Sequence, residues 1–210
     1  VEETDDAFSA TKKYIQEMKI DYANLMLIHR PPISGAGIDL WKGLIKAKKE
    51  GLLISYDPNL RAGLWSDLKE AKEKIRSMLI YSDILKVAKE ELEFISGKKN
   101  IKNGVEYLKS EYEIPLIFVT NGDEGAYYYK KELGFVSSID VDVVDTTGAG
   151  DGFVSGILYN LNKWDKNIYN LNKEELEYMT KFANVSGGLV TSESGAMSAL
   201  PNLEKIKEIL

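Results

Sequence analysis

The chain has 210 residues, of which 44% are hydrophobic and 29% charged, a composition typical of one soluble globular domain. It contains no cysteine, which excludes a disulfide framework and cysteine-based metal or nucleophile sites and fits a cytoplasmic location. The net charge of −6 argues against nucleic-acid binding, and no apolar run approaches the roughly 20 residues that a membrane span needs.

The first part of the chain alternates between helical and strand-like patterns. Helices are predicted over residues 6–19, 38–50, 66–80, 89–96 and 101–111. Strands are predicted over residues 24–29, 52–56, 83–87 and 115–120. Ser66 is the candidate N-cap of the third helix, and Gly97 ends the fourth. Because each strand is followed by a helix, the order predicts a parallel sheet with right-handed crossovers.

The pattern changes after residue 120. Residues 125–130 and 134–138 predict an antiparallel hairpin, and helices follow at about 149–162, 173–190 and 202–210. Over residues 1–210 the sequence therefore predicts a doubly wound α/β fold, a mostly parallel sheet with helices on both faces.

Polar residues directly follow four of the apolar strands, at 31–35, 57–61, 86–91 and 120–125. In such folds ligands bind beyond the carboxyl ends of the strands. This repetition predicts a binding site along one edge of the sheet.

The strongest local signal is the run DTTGAGDGF at residues 145–153, between a β-rich stretch and a helical one. Gly148 and Gly150 allow the backbone to approach a ligand, and the first N–H groups of a helix favour an anion. Gly148, Ala149 and Gly150 therefore predict an anion hole. Asp151, in the first turn, is placed to accept a proton from an attacking hydroxyl.

Two other nucleotide-binding patterns do not fit this run. A dinucleotide fingerprint would need glycine at position 153, which is Phe153, and the chain has no Walker A loop. A helix N-terminus whose aspartate only complements the helix dipole remains an alternative on local grounds.

The run, with Phe153 and Gly156 after it, resembles the C-terminal signature of the PfkB, ribokinase-like carbohydrate kinases. The resemblance implies the ribokinase-like fold and an ATP-dependent sugar kinase that uses ATP and Mg²⁺. It implies that Asp151 is the catalytic base and that the backbone of residues 148–150 forms the anion hole.

Residues 119–126 (VTNGDEGA) resemble the family's Thr-x-Gly-x-x-Gly nucleotide loop. This resemblance implies that Thr120, Asn121, Gly122 and Gly125 bind ATP. A plain turn into a hairpin is the alternative.

Three further positions are implied by the resemblance. Asn184 lies in the stretch that matches the helix beside the adenine, although helix packing would also explain it. Lys86 matches a lysine that faces the nucleotide in fructokinase-like members. Glu91 matches a glutamate that holds Mg²⁺ through water, with an exposed helix carboxylate as the alternative. The family's preceding asparagine is replaced here by Ala88.

Residues 56–65 (YDPNLRAGLW) resemble a segment of fructokinases and 2-keto-3-deoxygluconate kinases. The resemblance implies that Asn59 and Arg61 contact substrate or phosphate, and a capping turn with a surface arginine is the alternative. Trp65 is predicted to pack. The implied acceptor is fructose, with 2-keto-3-deoxygluconate and a nucleoside as alternatives.

Some members of the family bind a monovalent cation such as K⁺, which the resemblance places at Asp145, Thr147, Ser194 and Gly195. The single histidine, His29, follows a strand and could face substrate or lie in the core.

Complete family members begin with a β-rich part that carries a sugar-binding motif and a lid sheet, and this sequence shows neither. The resemblance therefore implies a partial domain that is poorly active by itself, with a homodimer expected for the complete protein. The alternative from another class is a non-catalytic nucleotide-binding module.

Overall fold

The structure, a computed structural model, describes residues 22–26, 45–195 and 199–210. The chain forms two compact units that divide between Ile114 and Pro115, and each is described by itself. The predicted helix at 6–19 and the position of His29 lie outside the described residues. The expectation of one partial domain over 1–210 stays a prediction.

The first unit contains parallel strands connected by helices. Its strands are β1 (Tyr22–Met26), β2 (Leu53–Asp57) and β3 (Ile84–Ala88), and β2 pairs in parallel with both others. Its helices are α1 (Leu68–Leu79), α2 (Lys89–Ser96) and α3 (Ile101–Tyr112), with a 3-10 turn at Ala62–Leu64. Residues 45–49 are also helical. Strands β2 and β3 are almost wholly buried, as expected for parallel strands covered by helices.

The ends of the helices follow their capping residues. The carboxylate of Asp67 accepts the Lys69 N–H at 2.8 Å and caps α1. The prediction of Ser66 as this cap was wrong, because Asp67 adopts the extended backbone of an N-cap and aspartate caps at least as well as serine. Helix α2 ends as predicted at Gly97, which has φ 75°.

A buried aspartate connects β2 with the start of β3. Asp83 is 4% exposed. One of its oxygens accepts the Ile54 N–H at 2.8 Å, and the other lies 2.5 Å from Lys48 Nζ.

We expect Asp83→Ala to lower the free energy of unfolding by about 1–3 kcal/mol, because it leaves a buried N–H without its acceptor. Chemical denaturation measures this loss, and exposed Asp142→Ala is the control. Equal stability of the two variants would contradict the assignment.

The second unit contains an antiparallel sheet and long helices. Its strands are β4 (Leu116–Thr120), β5 (Gly125–Tyr129) and β6 (Leu133–Ser137), and β5 pairs antiparallel with both others. Its helices are α4 (Ala149–Trp164), α5 (Lys173–Thr191) and α6 (Leu203–Ile209), with 3-10 turns at Gly122–Glu124 and Ile168–Asn170. The predicted hairpin is therefore confirmed, with each strand ending one residue earlier than predicted.

Small residues allow α4 and α5 to approach closely. A Cβ atom added at Gly152 or at Gly156 would lie 2.8 Å from atoms of α5. Phe153 packs edge-to-face on Phe118 of β4, with ring centroids 5.9 Å apart. The N-terminus of α4 is thus held between the sheet of this unit and α5.

Candidate functional site

The glycine-rich turn lies at the N-terminus of α4. Gly148 is the N-cap and has φ 87°, in the left-handed region that favours glycine. The Thr147 N–H donates to Asp145 Oδ1 at 2.9 Å, and the Gly152 N–H donates to the Gly148 carbonyl at 2.8 Å. Half-buried Asp151 is the acidic residue of the first helical turn. The first turn of α4 thus combines the free end of a helix, which favours an anion, with a carboxylate residue of the type that can accept a proton.

The end of α5 supports this turn from the side. A Cβ atom at Gly187 would lie 2.8 Å from the Ala149 carbonyl oxygen. The Thr191 carbonyl accepts the N–H groups of Val144 and Asp145 at 2.8 and 3.1 Å. The position of the turn therefore depends on the packing of α5.

Asp145 brings together residues predicted to bind a monovalent cation. Its second oxygen lies 3.4 Å from the Gly195 N–H, so Thr147 and Gly195 meet at one carboxylate, and Ser194 is the neighbour of Gly195. Hydrogen bonds from Thr147 hold the pKa of Asp145 below its usual value. Residues 45–195 and 199–210 contain no group of three or more acidic or histidine side chains that could hold a metal ion.

A cavity of about 710 Å³ adjoins the turn. The cavity is lined by four of the residues that are predicted to bind the nucleotide: Thr120, Gly122, Gly125 and Asn184. It extends to Ala149 and Gly150 of the predicted anion hole. The structure therefore brings residues from three separate predicted motifs to one cavity.

Part of the cavity wall was not predicted from the sequence. It comes from the stretch after β6, through Ser138, Ile139, Asp140, Val141 and Val143. Apolar residues alternate in this stretch, a signal that could have marked it as a covering segment.

Two predicted nucleotide residues use their side-chain amides within the protein. Asn184 Nδ2 donates to the carbonyls of Val136 and Ser137 at 2.9 and 3.0 Å, which joins α5 to β6. Asn121 Nδ2 donates to Glu124 Oε2 at 2.8 Å, and Asn121 does not line the cavity. Both residues thus shape the cavity's surroundings, and their contact with ATP stays a prediction.

In the first unit a second polar cluster lies where β2 and β3 end. Asp57, 3% exposed, lies 3.1 Å from Lys86 Nζ, and Lys86 is 8% exposed. Asn59 has φ 44°, and Arg61 is exposed directly before the 3-10 turn. The structure gives Lys86 a buried carboxylate partner, and its contact with ATP stays a prediction. Trp65 stacks with Lys74, whose Nζ lies 5.6 Å from the ring centroid.

Glu91 belongs to the same cluster. It is 9% exposed, and its two oxygens accept the N–H groups of Leu60 and Ala88 at 2.5 and 2.7 Å. The alternative of an exposed helix carboxylate is therefore wrong. Burial raises the pKa of Glu91, while the Ala88 N–H and the Lys86 ammonium act in the opposite direction.

The pfkB family model, described as pfkB family carbohydrate kinase, matches residues 2–203. The chain belongs to this family. It is 40% identical over 181 residues to "Probable fructokinase-2" of Arabidopsis thaliana, with 86% of this chain and 53% of the relative covered. The chain thus spans about half the length of that relative.

Solved structures of pfkB-type kinases resemble the chain. Fructokinase from Vibrio cholerae O395, in a form with bound fructose, ADP and calcium ion, has a TM-score of 0.77 and 31% identity, with 90% of this chain and 60% of that chain covered. Aminoimidazole riboside kinase from Salmonella enterica, complexed with aminoimidazole riboside and an ATP analogue, has a TM-score of 0.76 and 27% identity, with 88% and 61% covered. The predicted ribokinase-like α/β fold and the PfkB resemblance are confirmed.

None of the helices within the described parts of this pfkB chain has the length and apolar character required to cross a membrane.

Proposed function

We propose that the protein containing this chain transfers the γ-phosphoryl group of ATP to a primary hydroxyl of a sugar, with fructose as the first acceptor to test. One observation carries the proposal. The cavity lined by the predicted nucleotide residues extends to the glycine turn at the N-terminus of α4, where Asp151 stands in the first helical turn.

The proposed reaction needs a proton acceptor and a set of backbone N–H donors, and residues of the glycine turn and of the first turn of α4 supply both. Asp151 accepts the proton of the acceptor hydroxyl while the hydroxyl oxygen forms a bond to the γ-phosphorus. The bond from that phosphorus to the β–γ bridging oxygen breaks, and ADP leaves. The N–H groups of Gly148, Ala149 and Gly150 stabilise the charge on the phosphoryl oxygens. Positioning and charge stabilisation are the main demands of phosphoryl transfer.

The cavity fits a nucleotide, since ligand pockets are commonly about 300–1,000 Å³ and this one is about 710 Å³. Mg²⁺ prefers to keep several waters and to bind the substrate phosphates. Glu91 already accepts two backbone N–H groups, so we propose that it would reach such an ion only through water. The Vibrio cholerae structure contains ADP with calcium ion, which supports nucleotide and divalent-cation use. Mg²⁺ in particular, and K⁺ near Asp145, remain proposals.

We propose Asn59 and Arg61 as ligands of the acceptor or of a phosphate group. Arg61 is exposed, and a guanidinium carries a permanent charge with paired donors that match phosphate oxygens. Thr120, Gly122, Gly125 and Asn184 are proposed to contact ATP along the cavity that they line. ATP contacts of Asn121 and Lys86 are proposed as well.

The choice of fructose rests on two findings. The segment from Asp57 to Trp65 has the fructokinase pattern, and the relatives named above include fructokinases. A nucleoside is the second candidate, because a structural neighbour with a similar TM-score is aminoimidazole riboside kinase. 2-Keto-3-deoxygluconate stays an alternative, and so does a non-catalytic nucleotide-binding module, which would have no need of Asp151.

The test is acceptor-dependent ADP formation. It is measured on the longest native form of the protein that contains this chain, with Mg-ATP and fructose, 2-keto-3-deoxygluconate, ribose or adenosine. We expect the highest kcat/KM with fructose, and little turnover by the 210 residues alone. ATP binding without acceptor-dependent turnover of the longer form would favour the binding module and reject the kinase proposal.

Two expectations about the whole protein stay predictions. Cell fractionation tests the cytoplasmic location, and analytical ultracentrifugation tests the homodimer.

A further inference from the structure

We propose that Glu91 is a positioning residue that holds the turn between Asp57 and Arg61 in the shape that presents Arg61, and that it affects the reaction through Arg61. The inference rests on the proposed function, in which Arg61 binds the acceptor or a phosphate group. It assigns to Glu91 a role that does not depend on a metal ion.

The contacts of Glu91 reach across 31 residues of chain. Its Oε1 accepts the Leu60 N–H at 2.5 Å, in the turn after β2, and its Oε2 accepts the Ala88 N–H at 2.7 Å, at the start of α2. Leu60 directly precedes Arg61. One buried carboxylate therefore joins the turn that carries Arg61 to the rigid junction of β3 and α2.

The other side of the turn is held by the buried pair at the strand ends. Asp57 Oδ1 lies 3.3 Å from the Asn59 N–H, and its Oδ2 pairs with Lys86 Nζ at 3.1 Å. Asn59 adopts φ 44°, a conformation that non-glycine residues rarely take and that asparagine tolerates better than most. Two successive N–H groups, of Asn59 and Leu60, are thus held by two buried carboxylates immediately before Arg61.

The chemistry of the contacts requires a carboxylate. An ionised glutamate offers two acceptor oxygens, whereas glutamine offers one acceptor and an NH₂ group that cannot accept. Glutamine at position 91 would therefore leave either the Leu60 or the Ala88 N–H without its acceptor. A buried donor without a partner is costly, so the turn would open to water.

The experiment compares Glu91→Gln with Glu90→Gln, which removes the same charge from the same helical turn at an exposed position. Amide hydrogen exchange at Leu60, without nucleotide or metal, is measured first. We expect Leu60 exchange to accelerate by at least about tenfold in Glu91→Gln, the equivalent of one lost hydrogen bond, and to stay unchanged in Glu90→Gln. If Glu91→Gln does not fold, Glu91→Asp takes its place. Its side chain keeps the charge but is one methylene shorter, and Leu60 exchange is measured in the same way.

Kinetics then tests the route through Arg61. We expect Glu91→Gln to lower acceptor-dependent kcat/KM about tenfold in the native protein, and to have almost no further effect in an Arg61→Ala background.

Unchanged Leu60 exchange, an undiminished effect of Glu91→Gln in the Arg61→Ala background, or a shift confined to the Mg²⁺ dependence would each overturn the proposal. If the parent protein shows no acceptor-dependent turnover, the proposed function fails. The hydrogen-exchange result still decides whether Glu91 holds the turn.

Discussion

Replacing Asp151 by asparagine should lower kcat for acceptor-dependent ADP formation by about 10²- to 10⁴-fold, the range that a positioned general base contributes. Asparagine has nearly the same shape as aspartate and keeps the first turn of α4, but it cannot take the proton of the acceptor hydroxyl. The substitution also removes a negative charge beside the proposed phosphate position, so ATP affinity should not fall. Steady-state kinetics and calorimetric titration with ATP measure the two effects separately.

Asp165→Asn is the matched control for this prediction. Asp165 is the exposed C-cap at the other end of α4 and has φ 50°, a conformation that asparagine also tolerates. The control should keep full activity and full stability. If Asp151→Asn retains more than a tenth of the parent kcat, Asp151 is not the base, and its place in the first turn serves only the helix dipole.

Replacing Gly187 by alanine should damage both stability and catalysis. The added methyl carbon would lie 2.8 Å from the Ala149 carbonyl oxygen and 3.4 Å from the Phe153 nitrogen. Because both are backbone atoms of α4, a helix must shift, and overpacking of this kind costs about 1–3 kcal/mol. A shift of about 1 Å at the proposed anion hole can cost on the order of 10²-fold in rate. Thermal unfolding and kcat/KM measure the two losses.

Gly63→Ala is the control for the stability part, since a Cβ atom at Gly63 would meet nothing within 4 Å. It should unfold at the parent temperature. A Gly187→Ala protein with parent stability and parent kcat/KM would show that α4 and α5 adjust to the methyl group at no cost. The turn would then not depend on their close packing.

Features encoded by short stretches of sequence could be predicted well. The helix from Lys89 to Ser96, closed by Gly97, was predicted with its correct ends, because the apolar spacing and the glycine stop are local signals. The glycine turn before α4 was also recognised, since Gly148 and the residues beside it carry the pattern themselves. The cap of α1 was misplaced by one residue because Ser66 and Asp67 are both good caps.

The sequence by itself thus determined the order of strands and helices in the described residues, the hairpin after residue 124 and the position of the glycine turn before α4. Each of these follows from periodicity or from residues adjacent in the chain. Only the tertiary structure decided what the buried polar side chains contact. Glu91 reaches Leu60, 31 positions earlier, and Asn184 reaches Val136, 48 positions earlier. Such partners depend on how the elements pack, because a buried polar group must be satisfied by whichever donor or acceptor folding brings to it.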